Sequence, residues 1–383
     1  MLVKSRLYIK YTTKEGDLLV FSQSSGRLYG FDQFGSSLFS FLESDRNAEK
    51  ELLQCAKDND NLKSIVKSII KILDDNEEKD ESSFDVYKVE YPLELDSIES
   101  KNPFYYQLDD FVFVIDTDDM LIIKTVLPTL AHLRCEDSPQ NQPSLNINLK
   151  KVENNKWFIY FNGKVVYKDL ELEALLPRLL DYIRIAYYHT TDYIISLHSA
   201  ALYVDEIPLI LPAVSGSGKS TLSAYMMEKG CSFLTDEVVL IDKDECIKPI
   251  PMSITLKEGS WKVLEDVGIS FDNLLVHKRF DGQKLHFLPP KNISEKSLKV
   301  TNAFLIFPKY QEGVQTEIKE LSTLEVLAYI TSSGYEVMDS YNWSNIHRWI
   351  KLLEGFQKFA ITYSSLEDAY LNIKRLIDHE IVL

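Results

Sequence analysis

The sequence predicts an α/β domain built around a phosphate-binding loop in its C-terminal half. A small α+β region and an N-terminal domain, a β-hairpin plus three helices, precede it. Three observations predict this. The run Ala213-Val-Ser-Gly-Ser-Gly-Lys-Ser220-Thr221 lies between an apolar strand-type segment, 207–212, and a helix-type segment, 221–229, that stops at Gly230. A polar, acidic stretch at 76–83 contains no apolar residue and reads as a linker. Ahead of it, short strand-type runs give way to helical periodicity.

In the first domain, 1–75, residues 7–11, 17–22 and 27–31 are of strand type, and Ser24-Ser-Gly26 is a turn signal between the last two. Apolar residues then recur at helical spacing in 34–42, 48–57 and 62–73. After the linker, the region 84–195 carries strands at 111–115, 145–149 and 157–161. Asn162-Gly163 joins the last of these to 164–167, a pair of residues that both tolerate the positive φ of a tight hairpin. A helix over 172–188 then leads into the third region, 196–383, which holds the phosphate loop.

Bulk properties narrow the function. The chain has 383 residues, enough for two or three domains, and its 45% apolar content can fill their cores. A formal charge of −16 argues against a nucleic-acid-binding surface, which needs clustered Lys and Arg. Cys55, Cys135, Cys231 and Cys246 lie far apart, so they are expected to be reduced, mostly buried thiols and not a disulfide frame or zinc site. The N-terminal residues show no signal-peptide core, and no apolar run approaches the roughly 18 residues of a membrane span. The expectation is a cytoplasmic protein with neither nucleic acid nor membrane as partner.

The chemistry centres on the loop. Ser215, Gly216, Ser217, Gly218, Lys219, Ser220 and Thr221 would surround phosphates with backbone N–H groups at a helix N-terminus. Lys219 would reach the terminal phosphates, and Ser220 would offer its hydroxyl to Mg2+. Ala213 stands where the motif usually has Gly, whereas Gly216 and Gly218 are both present. Just beyond the loop helix comes the acidic pair Asp236-Glu237, able to divide a metal-ligand role and a proton-acceptor role between them. Upstream stands His198, a residue type that in isolation is more often structural. The L-S-G-G signature of transport ATPases and the N-K-x-D of GTPases are both missing.

The combination of His198-Ser-Ala-Ala, Leu211 to Leu222 with the loop, and Phe233-Leu-Thr-Asp-Glu237 resembles HPr kinase/phosphorylase and its relatives. Pro251 to Lys257 is similar to their P-R-P-I-S-L-K segment, Leu288-Pro-Pro290 to their R-P-P, and Leu305 to Tyr310 to their I-V-F-P-R-Y. The resemblance spans roughly 85–383. It implies a P-loop kinase domain of HPr kinase type that phosphorylates a hydroxyl, often a serine, with ATP and Mg2+. It also implies Asp236 as the base, His198 as its modulator, and Glu237, in place of a second Asp, as a metal or metal-water ligand. Lys257 would touch a phosphate or the acceptor. The family's phosphorylase-associated C-terminal motif has no counterpart here, so kinase activity is expected without the reverse reaction. HPr kinases form hexamers, so the resemblance admits a homo-oligomer.

Residues 17–42, a strand, a Gly-turn, an aromatic strand and a helix with Leu and Phe on one face, resemble the small winged-helix-like PqqD fold. Asp32 stands where relatives often have Asn. Such domains bind the leader of a ribosomally made peptide by adding it as a strand at a sheet edge. Together the two resemblances imply a peptide-tailoring kinase whose partner is a precursor or leader peptide. The rival readings are a kinase of a small-molecule hydroxyl and a non-catalytic nucleotide-binding regulator.

Overall fold

A run such as Ile207–Pro212, apolar at nearly every position, suits a strand covered on both faces, and it forms the middle of a six-stranded sheet. The computed structural model describes residues 3–4, 8–57, 59–74, 103–135, 143–214, 216–294, 298–337 and 342–379. The sheet runs in the order Ser232–Thr235, Ser199–Val204, Ile207–Pro212, Phe304–Tyr310, Gln357–Tyr363 and Glu317–Glu320. The loop strand is parallel to Phe304–Tyr310, which is parallel to Gln357–Tyr363. All three therefore end on one side, where the phosphate loop leaves its strand. Helices Lys219–Glu228 and Leu366–Ile377 bury one face of this sheet. Helices Thr323–Ser333 and Trp343–Gly355 contribute to the core on the other face. Among the described residues no helix is long and apolar enough to cross a membrane.

The region ahead of the loop is a five-stranded sheet, Pro103–Leu108, Phe111–Asp116, Leu145–Val152, Lys156–Phe161 and Lys164–Leu170, packed against helix Leu172–Thr190. Asn162 and Gly163 take φ of 46° and 81°, the tight hairpin their sequence announces. The core of this region also takes in Leu240, Ile250, Met252, Leu285 and Phe287 from beyond the phosphate loop. Those shared residues fix helix Leu172–Thr190 relative to the loop. The linker expected at 76–83 lies outside the described residues.

The N-terminal domain differs in detail from a hairpin with three helices. It is an antiparallel sheet in the order Val3–Lys4, Tyr8–Thr12, Leu18–Ser22 and Leu28–Phe31, followed by helices Gln33–Ser44, Glu49–Cys55 and Asp60–Asp74. Asp32 caps the first helix by accepting from the Gly35 N–H at 2.8 Å. The cysteine expectation also needs correction. All four are free, but only Cys231 is buried, and Cys55 is exposed because its short helix buries no residue.

This domain docks on the C-terminal one. Ile9, Tyr11, Leu19 and Phe21 pack against Ile346 and Ile350. At the centre lies Glu354, buried, accepting both from Tyr11 Oη at 2.9 Å and from the Lys14 N–H at 3.0 Å. Glu15 adds bonds to Thr323 Oγ1 at 2.9 Å and Lys358 Nζ at 3.2 Å. Glu354→Ala would leave the Tyr11 hydroxyl and Lys14 N–H without their acceptor. Since a buried donor left unsatisfied costs about 1–3 kcal/mol and the Tyr11 hydroxyl is the buried one of the two, urea unfolding should show a loss of about 1–3 kcal/mol.

Candidate active site

After Pro212 the chain turns through Ala213 and Val214 and re-enters a helix at Lys219. Gly216 and Gly218 take φ of 90° and 92°. Ala213 does not take a positive φ, so the glycine of the common motif is not needed there. At Gly218 a Cβ would lie 2.6 Å from Tyr363 Oη and 3.1 Å from Tyr310 Cβ. Only glycine meets both the φ and the space. Tyr363 Oη donates to the Gly218 carbonyl at 3.3 Å, and the Tyr310 N–H donates to the Ser217 carbonyl at 2.8 Å. The ends of two parallel strands thus hold the loop open. Ser217 Oγ is buried with no hydrogen-bond partner. Ser215 lies outside the described residues.

Strand Ser232–Thr235 delivers the acidic pair beside the loop helix. Lys219 Nζ donates to the Asp236 carbonyl oxygen and lies 3.8 Å from Asp236 Oδ1. Asp236 is 5% exposed, and neither carboxylate oxygen accepts a hydrogen bond of ordinary geometry. Burial raises this carboxyl to about 6, with Glu237 adding to the effect and Lys219, Ser220 and Arg184 opposing it. Glu237 behaves in the opposite sense. Burial works against its charge, but Arg184, Lys219, His198 and Lys257 outweigh burial and hold the carboxyl below its ordinary value. Two adjacent carboxylates are therefore pushed apart, the arrangement that separates a proton acceptor from a permanently charged partner.

The expected modulator of Asp236 meets its neighbour instead. His198 Nδ1 lies 3.9 Å from Glu237 Oε1, and burial together with Lys219 lowers the imidazole's pKa. Lys257, at the end of strand Ile254–Lys257, lines the same cavity.

That cavity, about 510 Å³, is bounded by Gly216 to Thr221, His198, Glu237, Lys257, Val263, Arg279, Tyr310, Tyr363 and Leu366. Glu237 is the acidic residue on its wall, while Asp236 sits beneath, against Lys219. Sequence reasoning missed two cations. Arg184, on helix Leu172–Thr190, places Nη1 3.6 Å from Glu237 Oε2 and also pairs with Asp181. Arg279 reaches the cavity from the turn after His277–Lys278 and pairs with Asp281. The one hint for Arg184 is a charge set between Ile183 and Ile185 on a largely buried helix.

Among the described residues no group of three or more His, Cys, Asp or Glu could cage a metal. A divalent ion here would fit the manner of Mg2+ on nucleotides, held by one or two protein oxygens, phosphates and water. Ser220 and Glu237, both on the cavity wall, suit that mode.

No protein-family model matches the chain, and no curated protein does. Among solved structures, the HPr(Ser) kinase/phosphatase from Coxiella burnetii is similar to it at 12% identity, over 48% of this chain and 95% of that one, with a TM-score of 0.21. So slight a likeness does not bear on the chemistry, which rests on the cavity's own residues.

Proposed function

We propose that the chain is a cytoplasmic kinase that moves the γ-phosphate of ATP to a Ser or Thr hydroxyl of a ribosomally made precursor peptide, whose leader is held by residues 1–75. The observation that carries the reading is the buried Asp236 carboxylate, raised to about 6 and 3.8 Å from the lysine of a glycine-shaped phosphate cradle. A desolvated carboxylate of that kind is ionised at neutral pH yet basic enough to take a proton. In the step, the acceptor O–H proton passes to Asp236 as its oxygen bonds to the γ-phosphorus. The bond from that phosphorus to the β–γ bridging oxygen breaks, and ADP departs. Lys219 shifts from the Asp236 carbonyl to the phosphates, and the loop's N–H groups hold them in line. A divalent ion held by Ser220 and Glu237 would supply further charge neutralisation.

The docking around Glu354 supports the peptide half of the proposal, because it fixes the N-terminal sheet to the catalytic domain. A leader bound there raises the effective concentration of the attached hydroxyl. The test is phosphate transfer from labelled ATP to a leader-bearing peptide and to the same peptide without its leader. The leader should lower KM by about 100-fold. Equal KM values would remove the recognition role, and transfer to simple alcohols but to no peptide would make this a small-molecule kinase. Deleting residues 1–75 is the poorer experiment, because it exposes Ile346 and Ile350.

A further inference from the structure

The lining of the cavity combines charged side chains, Lys257, Arg279 and Glu237, with the apolar and aromatic Tyr310, Leu366 and Val214. Tyr310 stands out among them, being 44% exposed although its backbone is fixed by the bond from its N–H to the Ser217 carbonyl. Its ring meets Tyr363 edge-on, with centroids 5.9 Å apart and planes at 73°. Tyr363 itself is buried, its hydroxyl directed at the Gly218 carbonyl. An aromatic ring thus projects into the cavity beside the phosphate cradle, held from behind.

A nucleoside triphosphate has phosphates at one end and a flat base at the other. With the terminal phosphates on Lys219, the exposed ring of Tyr310 in the same cavity is a flat surface on which the base can lie. We infer that Tyr310 is the stacking platform of a nucleobase subsite that discriminates little between bases; this rests on the phosphate-loop reading proposed above. Stacking is tolerant because every base has a π-face. The lining also carries the hydroxyls of Thr221 and Thr255. A hydroxyl can donate or accept, so it satisfies an amino and a carbonyl edge alike.

The test is calorimetric titration of the full chain, wild type, Tyr310→Ala and Tyr310→Phe, with Mg-ATP, Mg-GTP and Mg-tripolyphosphate. Alanine keeps the Cβ that lies against Gly218. Tyr310→Ala should weaken ATP about tenfold or more while tripolyphosphate changes less than about twofold, and Tyr310→Phe should bind like wild type. Wild type should bind ATP and GTP within about fivefold of each other, a difference of about 1 kcal/mol. Unchanged ATP binding by Tyr310→Ala overturns the platform. Equal losses for ATP and tripolyphosphate also overturn it, since Tyr310 would then only support the loop. A strong preference for one base overturns the claim of indifference. A wild type that binds ATP no better than tripolyphosphate defeats the base subsite alone, whereas one that binds neither defeats the phosphate-loop reading as well.

Discussion

Asp236→Asn is expected to cut the rate of phosphate transfer by about 10²–10⁴-fold, the range that a positioned general base supplies, while Mg-ATP still binds. Asparagine fills the same space beside Lys219 but cannot take a proton. The wild-type rate should fall with pH below about 6, where the buried carboxyl becomes protonated, and the residual rate of the variant should lack that limb. Glu237→Gln should act differently, weakening the response to Mg2+ and leaving the acid limb in place. If Glu237→Gln removes the limb and Asp236→Asn does not, the two carboxylates have the reverse roles.

The same carboxyl leaves a trace in stability. Its pKa is raised on folding from 3.8 to about 6, so the folded state keeps its proton to higher pH than the unfolded chain. The stability contributed is present below 3.8 and lost as pH rises through about 6. Wild type should therefore lose up to about 3 kcal/mol relative to Asp236→Asn across that window, at about 1.4 kcal/mol per pH unit. Unfolding curves for the two proteins at several pH values measure the difference directly.

Gly218→Ala carries the second large effect. Alanine at a φ of 92° is strained, and its Cβ would sit 2.6 Å from Tyr363 Oη. The left-handed conformation alone costs a non-glycine residue about 1–2 kcal/mol, and the clash forces the loop or the tyrosine to move. ATP affinity should drop by about 100-fold, since the N–H groups of the loop lose their common focus. Adding Tyr363→Phe removes the clashing oxygen but not the backbone strain. The double variant should recover part of the loss. Full affinity in Gly218→Ala would show that the cradle does not depend on this geometry.

Much of this was legible locally. The strand, loop and helix at 207–229 and the turn at Asn162-Gly163 are set by residues within a few positions of each other. What was not legible comes from distant pairing. Tyr310 and Tyr363 shape the loop because their strands run parallel to the loop strand, and no spacing in the sequence states that. Arg184 reaches Glu237 because its helix shares a core with Leu240 and Phe287 from the far side of the loop. His198 lines the same cavity as the loop and lies 3.9 Å from Glu237, a placement that needs side-chain geometry. Glu354 gave no sign of its role, since its partners Tyr11 and Lys14 lie at the other end of the chain.

The central claim is that Asp236 and the phosphate loop form one transfer site. Mass spectrometry of a leader-bearing peptide after incubation with Mg-ATP tests it most directly. Wild type should add a single phosphoryl group at a Ser or Thr hydroxyl, and Asp236→Asn should add none in the same time. Phosphorylation by both proteins at the same rate, or binding of ATP by the wild type with no phosphorylated acceptor of any kind, would contradict the account.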